Sequence, residues 1–230
     1  MKHIWEREFA AYFTQPTGYV FLGITCFVTG MLFVIYNLIY GIGDFFGYFR
    51  NIQLIFILIV PILTMRLFSE DRKSRVEQLL YTSPLSAGDV VLGKFLAAMS
   101  LFVLPMILMC AFPLILAQYI KISFMTAAIL YLGFFLQAMA LVSAGTVMSA
   151  LTEHQMAAAA MSVFVMIIFC FSDWIATVSG FGQILVWISP VSRFQKFTIG
   201  ILDISSVVFY LTFTAFCLLL TKTVIELKKG

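Results

Sequence analysis

Charge is scarce in this sequence. Lys, Arg, Asp and Glu make up 11% of the 230 residues against 62% hydrophobic ones, and mean hydropathy is +1.05, where a soluble domain carries about 25% charged residues. So little polar surface excludes a water-soluble fold of this length. Histidine is nearly absent too: His3 and His154 lie far apart beside charged residues, so no shared metal site is expected. The four cysteines, Cys26, Cys110, Cys170 and Cys217, fall in the most apolar stretches. There they act as small hydrophobes and form no disulfide framework or zinc spacing. The net charge of +3 is too small for a nucleic-acid-binding patch. Strand-type alternation is missing, which excludes a membrane β-barrel. A cleavable leader is not expected, because Met1 to Gln15 mixes charges and aromatics.

What is present is a series of apolar runs, each near the ~20 residues that a bilayer-spanning helix needs. They lie at Tyr19 to Tyr40, Ile52 to Phe68, Phe95 to Gln118, Phe124 to Leu151, Met156 to Trp174 and Ile204 to Lys222. In lipid every backbone group must be satisfied internally, so these runs predict an all-α polytopic protein of six transmembrane helices. Basic residues orient it. With the N-terminus inside, Lys2, Arg7, Arg66, Arg72, Lys73, Arg75, Lys94, Lys222, Lys228 and Lys229 are cytoplasmic, and only Arg50, Lys121, Arg193 and Lys196 are external. The positive-inside rule therefore places both termini in the cytoplasm.

Before the first span, Trp5, Phe9 and Phe13 recur every four residues among Lys2, Glu6, Arg7 and Glu8. That spacing puts an aromatic stripe on one face of a helix in residues 1–18, ended by Pro16 and Gly18. Such a helix suits the headgroup layer, as an interfacial anchor or as a docking element for a partner. Lys94 is expected to anchor the inner end of the third span in the same layer.

Two segments are hydrophilic. Residues 69–89 are charged and cytoplasmic. Within them Ser74 and Glu77 have capping-box spacing, Val76, Leu79 and Leu80 fall on one side, Pro84 ends the turn, and Ser86 with Asp89 offers a cap for the next span. This predicts a short amphipathic helix between two spans, either a lever for a soluble partner or a plain connector. Residues 175–203 are external. They contain Gly180, Gly182 and Pro190, an apolar run from Ile184 to Ile188 too short to span, and a second short helix in which Ser192 and Gln195 have capping-box spacing.

Gly88 to Phe95 matches the G-x-x-x-x-G-K of a phosphate-binding loop, but Phe95 replaces the Ser or Thr that would reach magnesium and no strand precedes it. Direct ATP binding is not expected. The acids sit near predicted span ends rather than in mid-span, contrary to a proton relay, and no nucleophile with a matching base is apparent. No catalytic and no metal-binding residue is expected. Small residues on the fourth and fifth spans, Ala140, Ala144, Gly145, Ser149 and Ala157 to Ala160, allow close helix approach, within the chain or against a second one.

The stretch from Phe68 to Ala97 resembles the signature region of ABC-2 type permeases. It has an acidic-basic cluster, an E-x-L-L-like step at Glu77, Leu79 and Leu80, Pro84, and the Gly93-Lys94 pair opening the third span. Arg7 to Phe9, followed by Tyr-Phe-Thr-Gln-Pro and Gly-Tyr-Val-Phe, is similar to the gliding-motility-type branch. Ser74-Arg75 stands where that pattern usually has Gly-Thr. The resemblance implies the ABC-2, or type V exporter, fold in a bacterial inner membrane, with an interfacial connecting helix, a coupling helix and external re-entrant helices. It implies a non-enzymatic permease subunit working as a homodimer or with a related permease. Two ABC ATP-binding subunits would hold the ATP and Mg, with no cofactor on this chain. The expected coupling residues are Glu70, Val76, Glu77, Leu79 and Leu80. A secondary transporter or channel without an ATPase, or a membrane anchor for a soluble enzyme, are the alternatives.

Overall fold

The computed structural model describes residues 2–39, 45–70, 86–119, 123–178 and 182–229. Among these residues the chain is helical and contains no strand. Helix α1 (Lys2–Thr14) is followed at once by α2 (Pro16–Phe33), which a π-helical stretch extends through Val34–Ile39. Pro16 is therefore a start as well as a stop: it occupies the first helical position, where its missing N–H costs nothing. Next come α3 (Phe45–Thr64), α4 (Ala87–Met109) and α5 (Ala111–Leu116), then α6 (Phe124–Leu151) and α7 (Gln155–Cys170). Three short helices follow, α8 (Ser172–Val178), α9 (Gly182–Ile188) and α10 (Pro190–Thr198), before α11 (Ile204–Lys229).

Five stretches are long and apolar enough to cross a bilayer: Pro16–Ile39, Gly47–Thr64, Ala87–Leu116, Phe124–Leu151 and Ile204–Leu227. A sixth consists of α7 and α8, bent by 58° at Phe171. The spans turn large apolar side chains outward, including Phe27 at 70% and Phe164 at 65% exposure. An aqueous surface would not tolerate so many, whereas lipid does.

The expected spans are thus present, with shifted ends. The third begins at Ala87 rather than Phe95 because Ser86 caps it: its hydroxyl accepts from the Asp89 N–H at 3.1 Å and donates to the Asp89 carboxylate at 2.6 Å. The cap expected at Ser192 and Gln195 lies one turn earlier. Ser189 accepts from the N–H groups of Val191 and Ser192, and Pro190 fixes the first turn. Ser192 instead meets the Ser172 hydroxyl at 2.8 Å, and the Gln195 amide donates to Asp173 at 3.0 Å.

The interior is aromatic. Phe56 lies between Phe102 (5.2 Å) and Phe134 (4.9 Å), and Phe134 also meets the ring of Phe49 (5.3 Å), mostly edge to face. Helix α11 packs along α6, α1 against α4, and α7 against both α3 and α6. Lipid is as apolar as the helix surfaces, so such packing relies on close fit rather than on a hydrophobic drive. Gly145 supplies the fit between α6 and α3, because a Cβ there would collide with Thr64. Ala140, Ala144 and Ser149 are likewise buried within the chain, while Ala157 and Ala160 on α7 face outward.

The bundle has two distinct ends. In the first half of α3, Gln53 donates to the Val191 carbonyl at 3.0 Å, and Tyr210 of α11 donates to the Pro190 carbonyl at 2.6 Å, which seats α10. Near the end of α3, Tyr12 donates to the Leu63 carbonyl at 3.2 Å, which seats α1.

Candidate functional site

Val76, Glu77, Leu79 and Leu80 lie outside the described residues, within 71–85, and Glu70 is the last residue described before them. The structure does show how both ends of that segment are held. After α3 the chain makes one turn, Met65–Phe68, and Ser69 and Glu70 are again helical. On the other side Ser86 opens α4. The root of the segment is fastened from three directions.

The first fastening comes from α1 and the corner after it. Arg66 binds Glu70 through Nε at 2.7 Å and reaches Gln15 Oε1 and Thr17 Oγ1 with its terminal nitrogens. Gln15 in turn donates from Nε2 to Glu70 at 3.2 Å. The pair at positions 66 and 70 follows from one helical turn. The tight corner at Pro16 brings Gln15 and Thr17 to it, and Gly18 permits that corner because a Cβ there would strike the Tyr12 backbone.

The second fastening is Lys94 on α4. Its side chain is 1% exposed, its Nζ lies 3.3 Å from Glu8 Oε2, and it donates to the Leu67 carbonyl. The same ammonium stands 5.3 Å from the centre of the Phe68 ring. A buried ammonium requires a counter-charge and hydrogen-bond acceptors; here a carboxylate from α1 and a carbonyl from the turn after α3 provide them. Lys94 therefore points into the protein, where it joins three elements. Gly88 to Phe95 is simply the opening of α4.

The third is Ser149 near the end of α6. Its hydroxyl accepts from the Phe68 N–H at 3.1 Å and the Ser69 N–H at 3.4 Å, and it lies 3.3 Å from the Met65 carbonyl. It serves the backbone groups that the break after α3 would otherwise leave without partners.

Trp5, Phe9 and Phe13 form a continuous row of rings: Trp5 stacks on Phe9 at 5.8 Å, and edge-on contacts follow from Phe9 to Phe13 at 5.2 Å and from Phe13 to Tyr19 at 5.7 Å. The stripe is half-buried, and Trp5 Nε1 donates to Ser100 Oγ on α4 at 2.9 Å. Ile4, Glu8 and Tyr12 form the adjacent inward face. Burial pushes the Tyr12 phenol far above its usual range, with the Glu8 carboxylate adding to the effect, so it stays protonated and donates. Of the residues singled out from sequence, the structure brings Lys94 and Glu70 to the root of the segment, and it lays the helix carrying Trp5, Phe9 and Phe13 against α4. Glu8, Arg66, Gln15 and Ser149 escaped sequence reasoning; the one available signal was a lysine needing a counter-charge next to an apolar run.

The opposite end is built by α8 to α10. Lys196 pairs with Asp203 at 2.6 Å, and the Arg193 guanidinium stands 4.2 Å over the Phe209 ring. Hydrogen bonds from Lys196 and then Ser206 hold the Asp203 carboxyl down at about 2. Phe197 fits against Gly133, where no Cβ would fit, and Gly200 turns the chain with φ of 74°.

Among the described residues no group of three His, Cys, Asp or Glu side chains is placed to hold a metal. No curated protein matches the chain. A family model described as ABC-2 family transporter protein matches residues 37–225, a span that includes every apolar helix from the end of the first onward and the whole charged segment. A multi-pass helical bundle with a charged segment rooted between its second and third spans is thus a permease component of an ABC transporter, and this chain belongs to the ABC-2 family of transporter proteins.

Proposed function

We propose that this chain is one half of an ATP-driven exporter, with residues 69–89 serving as the lever on which a separate ATP-binding subunit acts. The observation that supports the reading is the bracing of that segment's root by Arg66, Lys94 and Ser149. A partner can drive a pathway only if it engages its two states differently, and force applied at residues 71–85 reaches the spans only if the root is stiff. In this reading two such chains, identical or related, enclose the pathway, since closed twofold pairing is the commonest assembly. Two ATP-binding subunits carry the ATP and Mg. Both termini and the lever face the cytoplasm of a bacterial inner membrane, following the basic residues, and α8 to α10 face outward.

Replacing Leu79 and Leu80 with Asp tests this, because docking would then bury unpaired charge. The expected result is a normally inserted chain that no longer co-purifies with its ATPase. Undiminished association and transport refute the lever. Gradient-driven flux by the purified chain alone identifies a secondary transporter instead.

A further inference from the structure

Arg193 of α10 carries a charge that no carboxylate among the described residues neutralises. Asp203 is taken by Lys196 at 2.6 Å, and Asp173 receives the Gln195 amide at 3.0 Å. The Arg193 Nε is buried without an acceptor. Its terminal nitrogen donates to the Trp187 carbonyl at the surface, over a long 3.4 Å. The guanidinium rests 4.2 Å over the Phe209 ring, a contact that holds a cation in place but supplies no counter-charge. A guanidinium does not lose its proton in proteins, so the charge must be met from outside. The group stands at headgroup level: Trp174 and Trp187 are exposed at this end of the bundle, and Trp collects at membrane–water interfaces. Beneath it lies apolar surface. Phe209, Phe213 one turn further along α11, and Phe169 of α7 form a row with ring centres 5.8 and 6.0 Å apart, and α11 turns Val208 and Phe216 outward over the same stretch.

We propose that Arg193 is the phosphate-binding residue of a phospholipid site at the end of the bundle opposite α1, with the acyl chains lying along the row of Phe209, Phe213 and Phe169. A phosphodiester supplies the missing counter-charge, and its two free oxygens match the forked N–H groups of a guanidinium. A lipid fits better than a free anion because the charge stands directly over rings that continue into the apolar layer. Lys196, three residues on and so a neighbour on the helix surface, is held by Asp203 and leaves the phosphate to Arg193. Since Arg193 touches Trp187 of α9 and Phe209 of α11, one headgroup fastens three helices together. This assignment rests on the chain being a membrane-spanning bundle and not on the ATPase reading above.

Native mass spectrometry of the delipidated full-length chain in detergent tests it, by titration with dioleoyl phosphatidylglycerol and with dioleoylglycerol, which has the same tails and no phosphate. The phospholipid is expected to bind about tenfold more tightly than dioleoylglycerol, as a charge-assisted hydrogen bond implies. Arg193→Gln is expected to abolish that preference. Arg50→Gln, which removes an exposed arginine from the start of α3, is expected to keep it. Equal binding of the two lipids by the parental chain overturns the proposal. So does an undiminished preference in Arg193→Gln, or an equal loss in Arg50→Gln, which would mean diffuse attraction to surface charge. Inorganic phosphate at millimolar concentration is expected to leave the bound phospholipid in place; displacement would identify a site for free anions and refute the lipid. Should Arg193→Gln fail to fold, the parental lipid comparison and the phosphate competition decide.

Discussion

Removing either partner of the Glu8–Lys94 pair should destabilise the protein, and by unequal amounts. Breaking a buried ion pair by deleting one member costs about 3–5 kcal/mol, because the other charge is left in a poor environment. Glu8→Gln takes the Glu8 carboxylate away from the ammonium of a side chain that is 1% exposed and that also donates to the Leu67 carbonyl beside the Phe68 ring. Its cost should lie toward the upper limit. Lys94→Met leaves Glu8, which is 15% exposed and still holds Arg7 at 2.7 Å, so its cost should lie near ~3 kcal/mol. For a chain of this length that is a fall of roughly 6–12 °C in melting temperature. The double variant Glu8→Gln/Lys94→Met removes both charges and should recover most of the loss, since neutral replacement of a whole buried pair is often harmless. Thermal unfolding of the four proteins in one detergent closes the cycle. Strictly additive losses, or single variants within ~1 kcal/mol of the parent, would mean that the pair is not coupled and that α1 is held by its other contacts.

Ser149→Ala leaves the Phe68 and Ser69 amides without their hydroxyl acceptor and should cost about 1–3 kcal/mol, with faster hydrogen exchange confined to residues 65–70. Gly133→Ala forces a methyl into the Phe197 ring and should cost about 1–3 kcal/mol by overpacking, read as a lower melting temperature; Phe197→Leu in the same chain should relieve part of it. Asp203→Asn should lower the melting temperature by a constant amount between about pH 5 and pH 8. A carboxyl whose folded value is depressed stabilises above its unfolded value, 3.8, and loses that contribution as pH falls through about 2. The gap between parent and variant should therefore close only in that acid range, and a gap that varies near neutrality would contradict the pairing with Lys196.

The spans were legible because an apolar run long enough to cross a bilayer has few other uses. The fourth, Phe124–Leu151, was placed to the residue. The fifth was expected as a single run from Met156 to Trp174. Nothing in the run of Phe, Ile, Cys and Ser marks a 58° bend except Ser172, whose hydroxyl turns to the Phe169 carbonyl and to Ser192. The third was expected to begin too late because Asp89 and Lys94 weigh against a membrane position when read alone. They stop doing so once Ser86 satisfies one and Glu8 the other. Local rules located the Ser86 cap, since both of its partners lie within one turn. They put the α10 cap at Ser192 because spacing cannot tell two serines three residues apart, whereas Pro190 can. The bracing of the charged segment was not legible at all: Glu8 with Lys94, and Ser149 with Phe68, are joined by the packing of helices from distant parts of the chain.

The seating of α1 also fixes an order of events during biogenesis. This helix leaves the ribosome well before α4, yet Ser100 and Lys94, which receive Trp5 and Glu8, belong to α4. At typical elongation rates the interval is about 5–20 s. During that time α1 has only the membrane surface to rest on, and its aromatic stripe and charged face suit it to wait there. Lys94 meanwhile enters beside an apolar run without the Glu8 carboxylate that it meets in the folded protein. A helix made before every span is thus among the last to dock, and the Glu8–Lys94 pair forms only when it does.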